Sequence, residues 1–145
     1  MSPVSSMPRH SVSVAGVVLD ASGRCLLTKR RDNGQWQAPG GVLELAESIP
    51  DGLRREVREE TGLDVEPVAL TGVYKNMPLG VVALVFRCRV LGGHLIENDE
   101  VSAFTWAQRS ELSDFMTEAF VVRVSDAMAE PVAPVIRAHD GTHLL

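Results

Sequence analysis

The chain has 145 residues, 45% hydrophobic and 23% charged, the length and balance of one folded domain with its own core. Its formal net charge of -5 is the wrong sign for coating a phosphate backbone, so no extended nucleic-acid footprint is expected. No apolar run reaches the ~20 residues of a membrane-spanning helix, so no membrane partner is expected either.

Residues 1–10, MSPVSSMPRH, lack the apolar centre of a secretory signal and are expected to be a disordered or extended N-terminal segment before a domain over 11–130. The Val-rich stretch 11–20 ends in the turn signal Asp20-Ala21-Ser22-Gly23, and 24–30 reads as a second strand, which suggests a hairpin. Residues 32–36 and 38–41 read as loop, because the run Ala38-Pro39-Gly40-Gly41 suits neither a strand nor a helix interior. A helix is expected over 48–61, with Ser48 as N-cap, Pro50 and Asp51 in the first turn, and Gly62 just past the end. Apolar strands follow around 66–74, 80–91 and 102–107, then a second helix over 114–128. Residues 131–145 carry two prolines and no period, and read as an extended C-terminal tail. Cys25 and Cys88 lie in apolar stretches and are expected to be buried thiols, which with the other features points to the cytoplasm.

Within the first helix, Glu56, Glu59 and Glu60 crowd into five positions, and each i,i+3 or i,i+4 repulsion costs about 0.2–0.5 kcal/mol. At about 100° per residue, Ile49, Leu53 and Val57 share one stripe, Arg54 and Arg58 fall opposite, and the three acids flank or overlap the stripe. One reading is a solvated charged face with an Arg55–Glu59 ion pair. The other is that inward carboxylates are held together by a divalent cation such as Mg²⁺, which takes carboxylate oxygens and leaves positions for water and phosphate.

The segment GVLELAESIPDGLRREVREETGL, residues 41–63, resembles the signature of the Nudix hydrolases. Gly41, Glu47, Arg55, Glu56, Val57, Glu59, Glu60, Gly62 and Leu63 all match it at the right spacing. Ala46 and Gly52 depart from its usual glycine and alanine, and neither is a charged position. The resemblance implies an α/β fold, an α/β/α sandwich around a mixed sheet, and a Mg²⁺- or Mn²⁺-dependent pyrophosphohydrolase. Its substrate would be a small nucleotide-type molecule, a nucleoside diphosphate linked to another moiety (a nucleoside triphosphate, ADP-ribose or a nucleotide sugar). By the same resemblance Gly40, Glu56, Glu59, Glu60 and Glu100 would hold metal. Glu56 or Glu59 would help deprotonate water, and Arg55 would fix the carboxylates by pairing with Glu47 or Glu56. Glu44 is a weaker candidate. A homodimer is compatible with the resemblance, with 131–145 contributing to the contact. The alternative is a catalytically inactive nucleotide-binding module, whose mark would be lost acids, and none is lost. Trp36 and Trp106 read as packing residues, the four histidines as surface or tail residues, and Pro78 as a turn proline, although ADP-ribose-cleaving relatives carry a proline at a similar distance.

Overall fold

The computed structural model describes residues 6–145; the first half of the expected N-terminal segment therefore lies outside the described residues. Two sheets organise the chain. The larger has the order β4-β1-β6-β5-β8 and the smaller β3-β2-β7, with β1 Ser11–Val18, β2 Cys25–Arg30, β3 Trp36–Gln37, β4 Gly40–Val42, β5 Leu63–Asn76, β6 Val81–Gly93, β7 Val101–Ala107 and β8 Val135–His139. Strand β1 runs parallel to β6 and antiparallel to β4, so the large sheet is mixed.

Alternation along the central strands builds two cores. Val14 and Val18 of β1 and Leu26 of β2 face α1, Ile49–Thr61, and pack with its Leu53 and Val57. Val17 and Leu27 point the other way, towards α2, Leu112–Phe115, and α3, Glu118–Ala127, where they meet Leu112, Val124 and Ala127. This is the expected α/β/α sandwich.

Helix α1 forms where its caps place it. The Ser48 side chain accepts from the Asp51 N–H, and Gly62 closes the helix in the left-handed region at φ 83. Ile49, expected in the core stripe, is instead exposed, because the buried stripe begins one turn later at Leu53.

Four expectations are corrected. The turn at Asp20 forms, with its carboxylate accepting from the Ser22 and Arg24 amides, but β1 and β2 are not a hairpin. Strand β1 already has a partner on each edge, so after a single bridge from Leu19 to Cys25 the chain departs into the second sheet. Gly40 and Gly41 are not loop but strand, paired with Ala15 and Val14. The second helix breaks at Met116 and Thr117, both extended, so Phe115 can pack edge-on against Trp36 at 5.4 Å. Finally, the C-terminal tail contributes β8, which runs parallel to β5, and its His139 is fully buried rather than on the surface.

Candidate active site

The acids of α1 lie in its second half, where the helix dipole is unfavourable to negative charge, and they do not share one environment. Glu56 and Glu60 are buried and Glu59 is half exposed. Glu56 and Glu60 line a cavity of about 630 Å³ together with Gly40, Gly41 and Glu100. Strand β4 presses on both carboxylates. The Gly40 N–H donates to Glu60 Oε1 at 3.0 Å. Gly41 stands so close to Glu56 that a Cβ there would fall 2.5 Å from Glu56 Oε2. Only glycine lets the strand approach the acid in this way.

Arg55 gathers the remaining acids. Its Nε and Nη2 form a fork on Glu47, at 2.8 and 2.6 Å, and Nη1 donates to Glu56 Oε1 at 3.0 Å and to Glu59 Oε2 at 3.2 Å. The partners read from sequence, Glu47 or Glu56 by the resemblance and Glu59 by the charged-face reading, are engaged together: one planar guanidinium serves three carboxylates. Glu44 only approaches it, at 3.8 Å.

These contacts separate the acids electrostatically. The Arg55 fork and the Glu44 N–H hold the Glu47 carboxyl at about 2. Burial pushes Glu60 up to about 7 against the help of the Gly40 amide, with Glu56 and Glu100 adding repulsion. Burial also raises Glu56, opposed by Arg55. On this wall of the cavity the two buried carboxyls are thus costly to ionise without a further positive partner.

Among the described residues, no group of three or more His, Cys, Asp or Glu side chains forms a ready-made cation site. The donors nevertheless fit Mg²⁺ or Mn²⁺, because Glu56, Glu60 and Glu100 offer hard oxygens into one cavity and two of them are desolvated. Glu59 lies outside that lining and borders a smaller depression with Arg54, Arg55 and Arg58.

Other expected positions sort simply. Trp36 and Trp106 pack against the two cores. Pro78 sits in the turn between β5 and β6, where Leu79 after it and Asn76 two residues before it line the cavity. Cys25 and Cys88 are free and buried. The sequence reading missed Phe120 and Arg123, which also line the cavity; the available signal was a single cation inside the apolar run Phe120-Val121-Val122-Arg123-Val124.

The chain is 51% identical over 140 residues to a MutT-like protein of Streptomyces ambofaciens, covering 97% of this chain and 90% of that one. It is 33% identical over 135 residues to the human (Homo sapiens) 8-oxo-dGDP phosphatase NUDT18, covering 91% of this chain but only 36% of the relative. The fold matches an ADP-ribose pyrophosphatase structure from Streptococcus suis with a TM-score of 0.75 at 22% identity, over 88% of this chain and 99% of that one. That last likeness is one of fold alone. The family model described as NUDIX domain matches residues 9–128, and the chain belongs to the Nudix hydrolase family.

Proposed function

We propose that this enzyme is a metal-dependent pyrophosphohydrolase that cleaves a nucleoside diphosphate linked to another moiety, by attack of water on phosphorus. The observation that carries the reading is the Arg55 fork: one guanidinium clamps Glu47, Glu56 and Glu59 beside a cavity that Glu56, Glu60 and Glu100 line. A solvated charged face needs no such clamp, and it would not bury two carboxylates.

Glu56, Glu60 and Glu100, with the Gly40 carbonyl and Glu59 from the flank, would hold Mg²⁺ or Mn²⁺. Bound there, the ion would neutralise phosphate oxygens and acidify water. Of Glu56 and Glu59, Glu56 would take the proton, a reading supported by its position in the cavity and its contact with Arg55. Glu47 keeps Arg55 in plane, so it acts through position. The Gly40 N–H fixes one oxygen of Glu60 and leaves the other free for a ligand. Both ADP-ribose and 8-oxo-dGDP, the substrates in the names of two relatives, present a diphosphate to such a wall.

The test is a panel of nucleoside triphosphates, ADP-ribose and nucleotide sugars, assayed with Mg²⁺ or Mn²⁺ for release of a nucleoside monophosphate. Turnover with metal and its loss in excess EDTA are expected. Full turnover in EDTA would overturn the metal-dependent reading, and no turnover on any member would overturn the hydrolytic one.

A further inference from the structure

The cavity has a second charged feature that the acids do not explain. Arg123 projects from α3 and lines the same cavity, yet among the described residues it makes no ion pair and no hydrogen bond to an oxygen. Its Nε is buried with no partner. The guanidinium lies over the rings of Phe120 and Tyr74, at 4.8 and 5.4 Å from their centroids. The neighbouring carboxylate, Asp126, is already committed to both arms of Arg137 and to the Tyr74 hydroxyl.

The one polar contact that remains is Arg123 Nη2 to His139 Nε2 at 3.1 Å, and tautomer logic removes it as a satisfying bond. The Gly141 N–H donates to His139 Nδ1 at 2.9 Å, so Nδ1 carries no proton. A neutral imidazole then carries its proton on Nε2, and a donor faces a donor. Among the described residues Arg123 is therefore a largely buried cation with no oxygen or nitrogen acceptor, faced only by the Phe120 and Tyr74 rings. A buried charge in that condition is costly and calls for a partner from outside.

The partner's location is set by the sheet. Glu56 and Glu60 abut β4 at one edge, whereas Arg123 packs on Tyr74 of β5 and beside His139 of β8 at the other. Three strand spacings separate β4 from β5, roughly 14 Å, a span on the scale of an extended nucleotide. With the diphosphate at the acidic wall, the nucleoside end reaches Arg123. A guanidinium only donates, and its fork matches two adjacent acceptors. A 6-oxopurine offers this pair at O6 and N7, whereas a 6-aminopurine replaces one acceptor with an amino donor.

We propose that Arg123 is the specificity-determining residue of this cavity and takes the acceptor-only edge of a 6-oxopurine base, against the 6-aminopurine. The inference rests on the nucleotide reading of the site. The experiment reads binding without turnover: GMP and AMP are titrated in EDTA against the wild type, Arg123→Met and Arg123→Lys. The wild type is expected to bind GMP about tenfold or more tighter than AMP. Arg123→Met should bring that ratio close to one while raising the ligand-free thermal midpoint, since it removes an unpaired buried charge and keeps an apolar chain. Arg123→Lys should keep the charge and lose most of the ratio, because it lacks the fork; it carries the test if the Met variant does not fold. A wild-type ratio of one, a preference for AMP, or a ratio unchanged in both variants overturns the proposal. So does displacement of both mononucleotides by inorganic phosphate at Arg123-dependent affinity, which would make the occupant an anion. GMP discrimination that Arg123 controls, in a protein that hydrolyses no nucleotide, would support the base site and defeat only the hydrolytic reading.

Discussion

Glu60 bears the cost of the site most directly. It is 6% exposed, lies near the negative end of α1, and among the described residues its carboxylate accepts from one amide alone, that of Gly40. Replacing it with Gln keeps the shape and the acceptor for the Gly40 N–H but removes the charge. Glu60→Gln is therefore expected to lower kcat/KM by at least ~10²-fold, about 2.7 kcal/mol, while the thermal midpoint in EDTA rises. Stability and activity would move in opposite directions. An unchanged rate in Mg²⁺ would remove Glu60 from the proposed metal site, and a lower midpoint would mean that its negative charge stabilises the fold. That Glu60 and Glu56 turn inward was legible in the sequence, because helical periodicity places them beside Leu53 and Val57. The Arg55–Glu59 pair was legible too, as an i,i+4 contact, but the angular map is too coarse to show that Glu59 alone of the three acids stays half exposed. For Arg123 the sequence offered only a lone cation in an apolar run, with Phe120 one turn before it; the rest of its surroundings, Tyr74 of β5 and His139 of β8, come from other elements.

At the scale of elements, α1 was read to within one residue because its signals are local: Ser48 and Gly62 act on their own backbone. Gly52 within it looks like a defect, since Ala in a helix interior is favoured by up to about 1 kcal/mol. The packing around it says otherwise. A Cβ at Gly52 would stand 2.4 Å from Leu43 Cδ1 and 2.8 Å from Glu47 Oε1, and Glu47 is pinned by Arg55 and the Glu44 amide. Gly52→Ala is expected to bring no gain in thermal midpoint and a several-fold loss of kcat/KM, as Glu47 shifts and takes the Arg55 clamp with it. A full ~1 kcal/mol gain with unchanged rate would show that both side chains step aside freely. The elements misread from sequence are those decided elsewhere. The strand partners of β1 lie far along the chain, and Gly40-Gly41 becomes strand because β1 accepts it closely.

The whole molecule is closed by its C-terminal segment, which joins the large sheet through β8 and places His139 fully buried between α3 and the chain end. A composition without period cannot announce that, because β8 is an edge strand held by register with β5 from Gly72 to Asn76. Its burial has a consequence for pH. Burial first, then the charge of Arg123, holds the His139 imidazole below its ordinary value of 6.5, with Asp140 opposing weakly; the Gly141 amide on Nδ1 further disfavours a second proton. A depressed histidine takes its proton more readily in the unfolded chain. Its contribution to stability is accordingly intact above pH 6.5 and is lost as pH falls below that value towards the lower folded-state value. Glu60, raised to about 7, acts in the opposite sense and favours the fold as pH drops, so the raw midpoint mixes the two. The difference between the wild type and His139→Asn isolates the histidine, because Asn can still accept from the Gly141 amide but does not titrate. Thermal midpoints between pH 8 and 5 are expected to keep a constant gap above pH 7 and to converge as the wild type loses its advantage below 6.5. Parallel curves across the whole range would mean that His139 keeps its ordinary proton affinity when buried, and that Arg123 is paired with something other than a donor.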